Sequence, residues 1–103
     1  MIYSIIKDII AEREHRLIKY GIQNHPILFE PNNIEVLKSD LEYCKSLNDE
    51  EKNEWYIILV EKLLDAFIET DLKIQKEKMV KVCAVVIDII EYLERKTESN
   101  DNK

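Results

Sequence analysis

Two runs, Trp55-Tyr56-Ile57-Ile58-Leu59-Val60-Glu61-Lys62-Leu63-Leu64-Asp65-Ala66-Phe67-Ile68-Glu69 and Leu72 to Arg95, are separated only by Thr70-Asp71, and their reading decides the fold. Both are long and apolar with charges at helical spacing, so each reads as a helix, over roughly 49–69 and 72–96. Asp71 suits the cap of the later helix, because its carboxylate accepts from the free amides of the next turn. That helix carries Ile74, Met79, Val80, Val82, Cys83, Val85, Val86, Ile87, Ile89, Ile90 and Leu93. They cover much more than one stripe, and a helix apolar nearly all round is buried on several sides. In a short chain this implies a second subunit, with a homodimer formed through helices three and four. The charges on this hairpin stand in pairs one turn apart, Lys62 with Asp65 and Lys78 with Lys81. On an otherwise apolar surface they are costly unless they meet something.

Working toward the N-terminus, Ile2, Ile5, Ile6, Ile9, Ile10, Arg13 and Leu17 follow helical spacing and predict a first helix over 2–20, ended by Gly21 in a left-handed conformation. Ile22 to Pro26 forms a loop, since proline biases the residue before it toward extended backbone. A weaker second helix over 33–47 runs through Ile34, Leu37, Leu41 and Cys44 or Tyr43, capped by Asn32 or Asn33, with a polar face broad enough to lie on the surface. Asn48 to Glu51 has the spacing of a capping box and would start helix three. Residues 98–103 read as a frayed polar tail behind one domain spanning 1–97. The chain is therefore expected to be an all-α four-helix bundle.

Composition agrees. Among 103 residues there are one glycine and two prolines, with 46% hydrophobic and 35% charged residues, which favours long helices over short strands. The net charge of −6 argues against nonspecific binding to duplex nucleic acid, whose phosphates an acidic surface repels. No apolar run approaches the roughly 20 residues of a membrane helix. Cys44 and Cys83 lack metal-binding or redox spacing and read as packed, reduced thiols of a cytoplasmic protein.

In an antiparallel hairpin with its bend near Thr70-Asp71, the two charged pairs lie one to two turns from the bend and at comparable heights. They would line one pocket. At this point the chain resembles the MazG-like nucleoside triphosphate pyrophosphohydrolases, particularly their small phage and bacterial forms. One matching segment runs from Ala11-Glu12-Arg13 through Lys19-Tyr20-Gly21-Ile22-Gln23-Asn24-His25-Pro26. The other joins Trp55 to Leu59, Glu61, Asp65 to Asp71, Val80 to Val85, and Ile90-Glu91. Residues 27–54 lie outside the resemblance.

The resemblance implies an oligomeric helical bundle that splits a nucleoside triphosphate into the monophosphate and pyrophosphate, with carboxylates in an E-x-x-E…E-x-x-D pattern holding Mg²⁺. Those four ligand positions fall here on Lys62, Asp65, Lys78 and Lys81, so one carboxylate is left. Ammonium groups repel a divalent cation and cannot ligate it while charged. Glu61 and Glu77 are one residue away, and one residue turns a side chain about 100° round a helix.

The leading reading is therefore a pseudoenzyme with no cofactor, which binds without hydrolysing. Lys62, Lys78 and Lys81 are the candidate phosphate contacts, and Glu61, Asp65, Arg16, His25 and Trp55 the candidate pocket residues. Its ligand is a nucleotide or a host protein, as in a phage counter-defence factor, with Glu50, Glu51 and Glu54 as an acidic surface for the protein case. The rival reading is an active Mg²⁺-dependent hydrolase using Glu61, Asp65 and Glu77; a third is a purely structural or regulatory helical dimer. Plain structural roles stand beside these. The lysines also read as solvated surface pairs, His25 as a turn residue, His15 as exposed, and Trp55 and Cys83 as core packing.

Overall fold

Four α-helices make up the computed structural model, which describes residues 2–27, 31–49 and 54–101. They are α1 (Ile2–Tyr20), α2 (Pro31–Asp49), α3 (Trp55–Ile68) and α4 (Leu72–Asp101). No strand occurs among the described residues, so the all-α expectation holds.

Helix ends follow the local chemistry where a strong signal exists. Gly21 takes φ 69° and its N–H donates to the Leu17 carbonyl at 2.9 Å, closing α1. Asp71 caps α4: its Oδ1 accepts from the backbone N–H groups of Lys73 at 3.0 Å and Ile74 at 3.1 Å.

Weaker signals misled the reading at four boundaries. α2 starts at Pro31, so Asn32 and Asn33 lie inside it; proline at a first helical position loses only an N–H that has no helical acceptor. α2 also continues to Asp49, since nothing between Leu47 and Asp49 breaks a helix. Asn48 is thus a helical residue and not a cap, while Glu50 and Glu51 lie outside the described residues. α3 begins only at Trp55, behind Glu54, which makes no side-chain capping bond. α4 runs five residues past the expected 96, with the Thr97 hydroxyl donating to the Leu93 carbonyl at 2.8 Å.

The residues group into two compact units. The first comprises Met1–His25 and Ile87–Lys103, the second Pro26–Val86. In the second, α2 packs on α3 and buries Leu41 and Cys44, while α3 buries Ala66 and α4 buries Val82 and Gln75. α2 was expected at the surface; its Leu41 and Cys44, three apart, instead form an inward stripe. In the first unit Ile5 is the buried apolar residue among those described.

Burial is otherwise shallow. No large side chain is fully buried among the described residues, and Leu72, Ile74, Val80 and Leu93 of α4 are exposed. The burial on several sides expected of that helix is not met within one chain. Cys83, expected to pack, is exposed as well, and both cysteines are free.

Replacing Asp71 by alanine should cost about 1 kcal/mol in urea unfolding by removing acceptors from two free amides. Gly21→Ala should cost about 1 kcal/mol through backbone strain alone, because an added Cβ meets nothing within 4 Å. A neutral result at either position would show that the helix end does not depend on that residue.

Candidate functional site

The α3–α4 bend concentrates the charged groups of the second unit. Glu69 follows the last turn of α3, and its Oε2 accepts from the N–H groups of Thr70 and Asp71, each at 3.1 Å. Its Oε1 receives the Lys78 Nζ at 3.0 Å. Lys78 also reaches Asp65 Oδ1 at 3.4 Å. Glu69 comes four residues after Asp65, just beyond the end of α3, and Lys78 lies two turns into α4, within reach of both. One ammonium thus sits between two carboxylates.

Each partner's ionisation reflects this. The Asp71 amide, followed by the Lys78 ammonium, holds the Glu69 carboxyl below its ordinary value of 4.5. Glu69, with Asp65 adding, holds the Lys78 ammonium above its ordinary 10.5 against the opposing effect of desolvation. The Lys78 and Glu69 side chains are only 26% and 20% exposed, so the pair is less screened than a surface salt bridge.

Of the four charges expected to face one pocket, Asp65 and Lys78 do meet. Lys62 and Lys81 are exposed, without an ion pair among the described residues. Glu61 faces α2, where its carboxylate accepts from the Asn48 side-chain amide. It also raises the Cys44 thiol pKa, second to the desolvation of that buried group and ahead of Asp40. Glu77 is exposed. Trp55 is 36% exposed at the head of α3, short of the core packing expected of it, and its neighbour Tyr56 is more open. Arg16 and His25 belong to the first unit. Both are exposed, and Arg16 stacks its guanidinium over the Tyr20 ring, 5.4 Å from the centroid.

Sequence reasoning missed one member of this site, Glu69, and one buried polar residue of α4, Gln75. Glu69 carried a signal, its i+4 spacing from Asp65, that pairing charges three apart passes over. Gln75 is 4% exposed and its Nε2 has no partner among the described residues; no motif marks it.

The residues at the implied metal positions do not fit Mg²⁺. The ion seeks several oxygen ligands, whereas Asp65 already faces an ammonium. Among the described residues no group of three or more His, Cys, Asp or Glu side chains is placed to hold a metal ion. Comparison with protein families, with characterised proteins and with solved structures finds no match. No described helix is long and apolar enough to cross a membrane.

The two pKa shifts predict a defined pH window. Glu69's lowered value gives stability above pH 4.5 that is lost as pH falls through its folded value. Lys78's raised value gives stability below pH 10.5 that is lost as pH rises through its folded value. Melting temperature should therefore hold a plateau between these limits. Titration of Glu69 by NMR should give a value below 4.5 in the native chain and a higher one in Lys78→Gln; an unmoved value would mean the ion pair does not form.

Proposed function

We propose that the chain is a catalytically degenerate MazG-like protein that acts by binding and not by hydrolysis, and that it works as a homodimer. The observation that supports this best is the Lys78 ammonium between Asp65 and Glu69. A fixed cation there compensates Asp65, the one carboxylate left at the metal positions that the resemblance implies, together with its neighbour Glu69, and it repels a second cation. Glu61, Asp65 and Glu77, the ligands of the rival hydrolase reading, are respectively bonded to Asn48, paired with Lys78, and exposed. This disfavours hydrolysis.

The binding target favoured by the surface is a protein, a host protein in the phage setting that the resemblance suggests. Large apolar side chains lie exposed on all four helices, including Ile10, Val36, Tyr56 and Val80, and where such side chains join into one patch they mark an interaction site. A nucleotide is the second reading. It is supported by the exposed ammonium groups of Lys62 and Lys81, which can act as phosphate point charges. Lys78 contributes less to that reading than the sequence suggests, since its charge is already compensated.

Incubation with nucleoside triphosphates and Mg²⁺ should release no pyrophosphate. Mg²⁺-dependent release that disappears in Asp65→Ala would overturn the proposal in favour of the hydrolase. Calorimetry with the same nucleotides separates the two targets: heat with a triphosphate that is lost in Lys62→Glu plus Lys81→Glu establishes the nucleotide reading. No heat with any nucleotide leaves the protein target.

A further inference from the structure

We propose that α1 is the seam of the homodimer, packing antiparallel onto α1 of a second copy. The inference rests on the dimer reading above and assigns the interface to α1 instead of the α3–α4 surface indicated by the sequence.

Ile2, Ile6, Ile9, Ile10 and Leu17 are each 37–52% exposed, while Ile5 is buried. α1 therefore has a second apolar stripe beyond the one it uses. Ile2, Ile6, Ile9, Arg13, Arg16 and Tyr20 recur at alternating steps of four and three, the spacing of a seam between paired helices. Beside this stripe lies a groove of about 560 Å³ whose lining includes Ile5, Asp8, Ile9, Arg13, Arg16 and Ile90.

Charge selects the occupant and its direction. The groove's α1 carboxylates, Asp8 and Glu12, precede its guanidiniums, Arg13 and Arg16. None of the four has an ion-pair partner among the described residues. Glu94 also lines the groove, so carboxylates outnumber guanidiniums and a small anion finds no net attraction. A second copy running antiparallel meets the reverse order. A twofold axis near residue 11 brings each residue i opposite residue 22 − i, setting Ile2 against Tyr20, Ile6 against Arg16 and Ile9 against Arg13. The arginine stems then lie over isoleucines, with their guanidiniums beside the acidic half of the second copy. A parallel pair would place like charges together. The arrangement is isologous, as a closed dimer requires.

The test uses the full chain in sedimentation equilibrium, with two seam variants and a charge control. Asp8→Lys plus Glu12→Lys makes the seam wholly basic, and Arg13→Glu plus Arg16→Glu makes it wholly acidic. The wild type should be dimeric, each variant alone should dimerise at least about tenfold more weakly, and an equimolar mixture should recover a heterodimer. Lys45→Glu plus Lys73→Glu changes net charge as much as the acidic variant but lies off the seam, and should leave the dimer intact. Circular dichroism checks that each variant retains its helix. A monomeric wild type overturns both the seam and the dimer reading. A dimer unaffected by the seam variants, or dissociated variants that do not recombine on mixing, overturns the seam alone; in that event dissociation by Val80→Glu would locate the interface on α4.

Discussion

The Glu69 carboxylate is the point on which the α3–α4 region depends. One oxygen accepts the two amides that leave α3, and the other receives the ammonium of α4. The bend and the cross-helix ion pair are thus held by a single side chain. A connection of so few residues has little conformational freedom. A carboxylate satisfying its backbone donors where they would otherwise face no helical acceptor fixes where α3 stops. Asp71, two residues on, does the corresponding work for the start of α4. Two helices rich in apolar residues therefore turn at a point defined by polar groups, and Lys78 is delivered opposite Asp65 and Glu69 as a consequence.

The second constraint is a shortage of interior. Five apolar residues form the buried set among those described, and three of them, Ala66, Cys44 and Val82, are small or medium in size. Apolar transfer is worth about 25 cal/mol per Å² removed from water, so partly exposed isoleucines and leucines leave much of that stabilisation unrealised in one chain. α3 shows this plainly: Ile57, Ile58, Leu59, Val60, Leu63 and Leu64 are all intermediate in exposure. The proposed dimer and the proposed protein target both follow from this one property, since either would supply the missing burial.

Much of the helical content was legible because it is written in strong local signals. Gly21 and Asp71 have chemistry that acts within one turn, and both perform as read. The errors fall where a signal depends on what the chain meets elsewhere. Asn48 has the spacing of a cap, yet it lies in a helix and donates to Glu61, thirteen residues away. The polar face of α2 suggested a surface helix because its inward stripe, Leu41 and Cys44, is short. Cys83 looked packed because its neighbours are apolar, and periodicity cannot say whether an apolar face has a partner. The site was half legible for the same reason. Height along a hairpin follows from residue counting, which paired Asp65 with Lys78. Rotation about each helix axis does not, and it leaves Lys62 and Lys81 in solvent.

Lys78 also bears on how a binding role relates to the hydrolytic one that the resemblance implies. A metal site needs carboxylates that remain uncompensated until the ion arrives, and their mutual repulsion destabilises the empty fold. A lysine on the opposite helix removes that repulsion permanently, and the raised ammonium and lowered carboxylate pKa values are the signature of the mutual stabilisation. The lysine that disfavours metal chemistry at this place therefore favours the fold. On the binding reading proposed above, the exposed apolar side chains, and not the ion pair, are where the chain would meet its partner.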